Sequence, residues 1–237
     1  MISALRRSPL RVLEMGRERC RVGPWRGDTT IGYLSPLTQL SPHAIRQAVT
    51  VLAGEGYRGV ITGAVGADDR RVFTDAGFAV RERLHLLRHP LDTIPEAEPA
   101  RIRRAGRRHR GDVLELDRLA FDSFWHLDQM GLDEARQATP ISRFRVAIDD
   151  TAPVGYTVAG RAGTLSYLQR LAVHPTAQGR GLGRSLTVDA LQWARRRRCL
   201  SMMVNTQDAN LGALHLYESL GFLRQTQGLF VLEQIFG

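Results

Sequence analysis

The amino-acid sequence predicts a mixed α/β (α+β) fold: a mostly antiparallel sheet flanked by helices, preceded by a smaller half built to the same order. Three observations predict it. Apolar runs at 144–148, 153–159 and 165–173 are joined by turns too short for crossovers, which calls for antiparallel neighbours. A glycine-rich loop, a helix, a strand, a second helix and two further strands follow. Gly77-Phe78 and Gly221-Phe222 lie 144 positions apart (221 against 77), and each closes a helix and opens strand pattern, the mark of a diverged duplication.

In the first half, Thr30–Leu34 reads as a strand. Ser41-Pro42 supplies a capping serine and a first-turn proline for a helix running through Ala44, Ile45, Ala48, Val49 and Leu52. Gly59–Val65 is a strand, Asp68–Ala76 a short helix, and Gly77-Phe78 opens a hairpin ending near Leu87. Leu91–Ala100, with two prolines and two glutamates, is an exposed linker. The expected domains are therefore 1–91, a linker at 92–100, and 101–237. In the second part, Arg101–Arg104 suits a short strand, and Asp112–Phe121 and Leu132–Thr139 suit helices. The three alternating runs come next, then a helix at 184–197, a strand at 200–205, a helix at 210–220, and strands at 222–224 and 229–234.

A chain of 237 residues, 43% apolar and 24% charged, has the composition of a globular protein and excludes collagenous, coiled-coil and disordered classes. No run approaches 18 apolar residues, and the start Met1–Pro9 breaks into charge before a signal-peptide core develops, so no membrane association is expected. Two cysteines, Cys20 and Cys199, make no disulfide framework and lack metal-ligand spacing. The expectation is a cytoplasmic protein without a metal. All 33 basic residues are arginine and the formal charge is +9. The absence of lysine suggests codon bias more than selection for nucleic-acid contact, although Arg101–Arg110 and Arg195–Arg198 leave a phosphate-gripping surface as the alternative.

The segment richest in chemistry is Leu171-Ala-Val-His-Pro-Thr-Ala-Gln178-Gly-Arg-Gly-Leu-Gly183-Arg184. Proline at 175 stops a strand, and glycines at 179, 181 and 183 allow a sharp turn into an amphipathic helix. Loop amides and the first amides of that helix then converge where the helix carries partial positive charge, a natural seat for a pyrophosphate, with Arg180 and Arg184 as charge-assisted donors. There is no Gly-Lys-Ser/Thr, and the spacing is not that of a dinucleotide fold.

After the next strand comes Asn210-Leu-Gly-Ala213-Leu-His-Leu216-Tyr217-Glu-Ser-Leu-Gly221-Phe222. Together the two segments resemble the GNAT superfamily of acyl-CoA-dependent N-acyltransferases: Gln178-Gly-Arg-Gly-Leu-Gly183 matches its Q/R-x-x-G-x-G/A signature, and Asn210 to Phe222 its N-x-x-A-x-x-L-Y-x-x-x-G-F segment. The two-copy arrangement, with a degenerate first copy, is similar to that of the mycothiol synthases and other tandem members.

The resemblance implies an N-acetyltransferase that moves an acetyl group from acetyl-CoA to a primary amine, on a small molecule or a protein N-terminus, by direct attack on the thioester. It implies pantetheine contacts from the main chain of Leu171, Ala172 and Val173 and from Asn210, and a pyrophosphate on Gln178, Gly179, Arg180, Gly181, Leu182, Gly183 and Arg184. It implies Tyr217 as the acid that protonates the departing thiolate; the bland reading of Tyr217 is a core residue against Leu214 and Leu220. The general base is open. Asn205 stands where some members carry glutamate, and Ser166, Tyr167, Gln169 and Arg170 occupy the splayed strand. A water chain, Asp122, Asp128 or Glu134, or no base at all, remain, with His126, His174 and His215 less suited. The first half lacks the glycine loop and is expected to bind no acyl-CoA. A non-catalytic acyl-CoA-binding or nucleic-acid-associated module is the alternative; acceptor and oligomeric state are unspecified.

Overall fold

The computed structural model describes residues 10–236, so Met1–Pro9, read above for its charge, lies outside the described residues. Its strands are β1 (Arg11–Met15), β2 (Glu18–Trp25), β3 (Asp28–Pro36), β4 (Gly59–Thr62), β5 (Ala79–His89), β6 (Ile102–Arg104), β7 (Ile141–Asp149), β8 (Ala152–Ala162), β9 (Leu165–Val173), β10 (Ser201–Gln207), β11 (Leu223–Arg224) and β12 (Leu229–Ile235). Its helices are α1 (Pro42–Gly54), α2 (Ala67–Asp75), α3 (Arg110–Ala120), α4 (Gln129–Gln137), α5 (Leu182–Arg196) and α6 (Leu211–Ser219). No helix among the described residues is long and apolar enough to cross a membrane.

Two compact units result, one holding the chain up to His85 and from Thr226 onward, the other Leu86–Gln225. The division differs from the expected linker at 92–100 because strands late in the chain pair with early ones. β12, from the end of the chain, pairs with β4 (Glu233↔Ile61) and with the first part of β5 (Leu229↔Leu84). The last residues of β5 pair instead with β11 (Leu223↔Arg88, Arg224↔Leu87). The expected hairpin ending near Leu87 is one strand, Ala79–His89, since its eleven residues contain no glycine, proline or asparagine to turn on.

In the first unit the strand order is β1-β2-β3-β4-β12-β5. β1 carries little apolar signal because most of its residues are exposed, and in β2 the buried Cys20 and Val22 alternate with arginines over too short a run to stand out. Ser41 accepts from the Ala44 amide at 3.2 Å and caps α1, whose Ala44, Ile45, Ala48 and Leu52 are buried. That face packs in a core with Leu34, Val60, Phe73, Phe78 and Leu232.

The second unit has the order β5-β10-β9-β8-β7-β6, with β7, β8 and β9 an antiparallel meander and β9–β10 parallel. Two cores cover its sheet. Phe144, Val146, Tyr156, Val158 and Ala172 pack with α3 and α4, whereas Ala159, Leu168 and Met202 pack with α5 and α6. The register of β8 on β9 steps from Val158↔Arg170 to Ala159↔Leu168, leaving Gln169 as a bulge. Strict alternation would put positions 168 and 170 on one face; the bulge sends Leu168 to one core and Arg170 to the other. The 92–100 segment is irregular but tied down. Ile94 and Ala97 pack on the α5–α6 core, and the Glu96 and Glu98 carbonyls accept from Arg184 Nε (3.1 Å) and Ser185 Oγ (2.9 Å).

Leu232 is fully buried in the core of the first unit. Leu232→Ala is expected to cost about 2–5 kcal/mol in chemical denaturation, against less than about 0.5 kcal/mol for Leu223→Ala at an exposed position.

Candidate active site

β9 and β10 pair only over Ser201↔Leu165, Met202↔Ser166 and Met203↔Tyr167, yet both strands run on, to Val173 and Gln207. From Leu168 onward β9 keeps β8 on one edge (Leu171↔Thr157, Val173↔Gly155) and, among the described residues, has no strand on the other. Main-chain groups of Leu171, Ala172 and Val173 therefore line a gap. A backbone edge inside a folded unit needs a partner, and an extended amide-bearing ligand can supply one.

At the end of β9 the chain makes a tight turn over Pro175–Ala177 and enters the glycine loop. Gly179 and Gly181 both have φ +74°, a left-handed conformation that favours glycine, and a Cβ at either would meet no atom within 4 Å. The loop surface is open. Gly183 is helical, and its use is different from the torsional one expected: a Cβ there would lie 3.2 Å from Leu216 Cδ2 and 3.8 Å from Val173 Cγ2. Its lack of a side chain is what lets α5, α6 and the end of β9 meet. Ser185 makes the first bond of α5, to the Gly181 carbonyl at 3.0 Å, so the amides of Leu182, Gly183 and Arg184 precede its ladder.

The two arginines of the loop are more committed than the sequence suggested. Arg180 pairs with Asp149 at 2.8 Å, both side chains exposed. Arg184 is held by the Glu96 carbonyl and lies 3.5 Å from Ser219 Oγ. Gln178 donates from Nε2 to the Val173 carbonyl at 3.2 Å, bracing the loop against the strand end. The anion-seeking character of the loop thus rests chiefly on main-chain N–H groups and the start of α5.

Asn210 caps α6: its Oδ1 accepts from the Ala213 amide at 3.1 Å, which uses the oxygen and not the NH2. Tyr217, two turns further along, is buried beside Leu214, Leu220 and Phe222, with its ring 5.5 Å from that of Phe222. Burial pushes its phenol up from the ordinary value, and the positive charge of Arg170 opposes the rise. Tyr217 is thus a core tyrosine and also a protonated phenol in the field of a buried cation.

Arg170 belongs to a cluster that the sequence reading did not assemble. Its Nε and Nη2 grip Asp117 on α3, both at 2.8 Å, with side-chain exposures of 9% and 0%. Asp117 also accepts from the Tyr156 hydroxyl and, at 2.8 Å, from the Leu127 amide. Nη2 of Arg170 donates to the Trp125 carbonyl at 2.7 Å, and the guanidinium stacks 3.5 Å from the Phe121 ring centre. The pair pins the 121–127 connection between α3 and α4 to the end of β9. A signal was present: Asp117 falls four residues after Val113, on the apolar stripe of α3. A carboxylate there demands a buried partner.

The base candidates are mostly occupied. Asp122 accepts from the Phe124 amide and Asp128 from the Gly131 amide, each capping a turn. His174 is bound to Thr176, and His126 Nε2 lies 3.0 Å from the Phe121 carbonyl. Ser166 Oγ donates to the Ser201 carbonyl, while Asn205 and His215 face solvent.

Comparison with known proteins bears on the family and the fold. The profile of the acetyltransferase (GNAT) family matches residues 111–222. The mycothiol acetyltransferase of Rhodococcus erythropolis is 31% identical over 84% of this chain and 79% of its own length. That of Rhodococcus jostii is 30% identical over 83% and 77%. Among solved structures, a tandem GNAT protein from the clavulanic acid biosynthesis pathway matches with TM-score 0.69 at 14% identity, covering 95% of this chain and 82% of that one. A GCN5-related N-acetyltransferase from Kribbella flavida reaches 0.65 at 15% identity, over 96% and 90%. The structural matches establish the fold, and the sequence relatives carry the kinship.

Removing Arg170 strands a fully buried carboxylate. Arg170→Ala is expected to cost about 3–5 kcal/mol in urea denaturation, and the double variant Asp117→Asn/Arg170→Met, which leaves no charge to strand, to recover most of that loss.

Proposed function

The chain belongs to the GNAT family of acetyltransferases, and from that premise we propose that it transfers the acetyl group of acetyl-CoA to the primary amine of a small molecule by direct attack on the thioester. The observation that carries the reading is the parting of β9 and β10 beside an open glycine loop at the start of α5. The name borne by the Rhodococcus relatives, mycothiol acetyltransferase, favours a small-molecule acceptor over a protein N-terminus.

In this reading the amides from Gly179 to Arg184 hold the pyrophosphate, and the unpaired edge of Leu171–Val173, with the NH2 of Asn210, holds the pantetheine arm. Bound acetyl-CoA supplies a thioester whose carbonyl carbon is open to an amine. An amide of the β9 edge polarises the carbonyl oxygen. Tyr217 gives its proton to the sulfur as the carbon–sulfur bond breaks; a phenol, ordinarily near pKa ~10 and raised further here by burial, stays protonated at neutral pH. Arg170 offsets part of that rise and so lowers the cost of releasing the proton. The acceptor enters as the free amine and its proton leaves to water, since Asp122 and Asp128 serve as caps and Asp117 is held by Arg170.

The first unit takes no acyl-CoA in this scheme. Where α5 opens on bare amides, α1 opens on Pro42 and on Ser41, whose amide and hydroxyl donate to the Glu18 carboxylate at 2.9 and 3.1 Å. A fixed negative charge already fills that helix start.

Calorimetric titration should give one acetyl-CoA per chain; two sites would remove the assignment of the first unit. Tyr217→Phe should lower kcat by about tenfold or more with the acetyl-CoA Kd unchanged within about twofold. Release of free CoA should follow addition of mycothiol lacking its acetyl group, or another small amine. Release only with peptide N-termini would overturn the small-molecule reading, and release with no amine would overturn the reaction.

A further inference from the structure

The arginine runs at 101–110 and 195–198 take no part in the acetyl-transfer site, but the second unit folds a member of each into one place. A cavity of about 310 Å³ is lined by Arg104, Arg136, Arg143, Arg145, Arg197 and the indole of Trp193. Its construction is local. β6 ends at Arg104, opposite Arg145 of β7, so the start of β7 is left without a neighbour on that edge. α4 brings Arg136 to the opening, and the last turn of α5 brings Trp193, with Arg197 just beyond.

Few negative charges meet these five guanidinium groups. Asp189 is shared, gripped by Arg143 at 2.9 and 2.7 Å and standing 3.9 Å from Arg145. Asp133 is also shared, between Arg136 and Arg110. Among the described residues no carboxylate pairs with Arg104 or Arg197. The Nε atoms of Arg136 and Arg145 are buried with no hydrogen-bond partner. Burial and the nearby charges of Arg143, Arg104 and Arg196 also push the Arg145 guanidinium below its ordinary value. Like charges with unused donors around a void are unfavourable until an anion enters.

We propose that this cavity is a second ligand site, for a compact polyanion of the phosphate class: a chain of two or three phosphates, inorganic or as the tail of a nucleotide. Guanidinium forks arriving from β6, β7, α4 and the end of α5 suit the several oxygens of a phosphate chain. The volume lies at the small end of ligand sites and excludes a nucleic-acid duplex from the cavity itself. The site is separate from the glycine loop. Leu182 and Trp193 are eleven residues apart on α5, roughly 16 Å along its axis at 1.5 Å per residue. At this end the helix dipole is negative, so the attraction comes from the guanidinium groups alone.

The test uses the full chain with coenzyme A at saturation, so that the glycine loop is filled, and titrates inorganic triphosphate by calorimetry with tryptophan fluorescence as a second readout. One triphosphate per chain should bind, and Arg104→Gln/Arg145→Gln should weaken it by about tenfold or more while coenzyme A affinity is unchanged. If that variant does not fold, Arg197→Gln at the exposed mouth should still weaken triphosphate severalfold, whereas Arg195→Gln, outside the lining, should not. An ATP arm separates the sources: equal affinity marks the phosphate chain as the ligand, and tighter ATP binding marks the nucleotide. Equal losses in Arg195→Gln and Arg197→Gln, disappearance of binding once coenzyme A is present, or binding of oligonucleotide without triphosphate would each overturn the proposal.

Discussion

Two parallel strands that stop pairing while both continue create a requirement that the rest of the second unit is built around. β9 and β10 are joined through Tyr167 and Met203 and then part. Each strand is kept in place by its other neighbour, β8 for β9 and β5 for β10. The Gln169 bulge comes two residues after the last shared pair and changes which residues face each core. Polar main chain left without a ladder needs another partner, which water or an extended ligand can supply. The glycine loop at the end of β9 and the cap of α6 after β10 both follow from where the two strands lead.

The buried ion pair works on the same cleft from the other face of the sheet. A carboxylate and a guanidinium removed from water gain little over an apolar pair in stability alone. What Asp117 and Arg170 supply is position: four bonds to Asp117 and one more from Arg170 to the Trp125 carbonyl lock α3, the 121–127 connection and β9 into one arrangement. The same cation lies close enough to Tyr217 to act on its phenol.

The two units differ at the start of the helix that follows a strand. In the second unit α5 begins with glycines that expose amides, and in the first α1 begins with a capped serine bound to Glu18. One start is left electropositive and the other is neutralised. The halves have also exchanged strands along the chain, since β12 completes the first unit and the end of β5 belongs to the second.

Much of this was legible in local pattern. The order of elements from position 101 onward, the turn at Gln178–Gly183, the Ser41-Pro42 helix start and the two motifs that carry the family resemblance all depend on residues within a few turns of one another. Periodicity and special torsions are local properties, and the sequence alone determined them. The strand exchange, the bulge at Gln169, the meeting of Asp117 with Arg170, the second use of Gly183 and the gathering of five arginines around one void join residues from distant parts of the chain. Only the tertiary structure decided those. Which buried charge finds which partner is set by packing across the sheet, and no spacing along the chain encodes it.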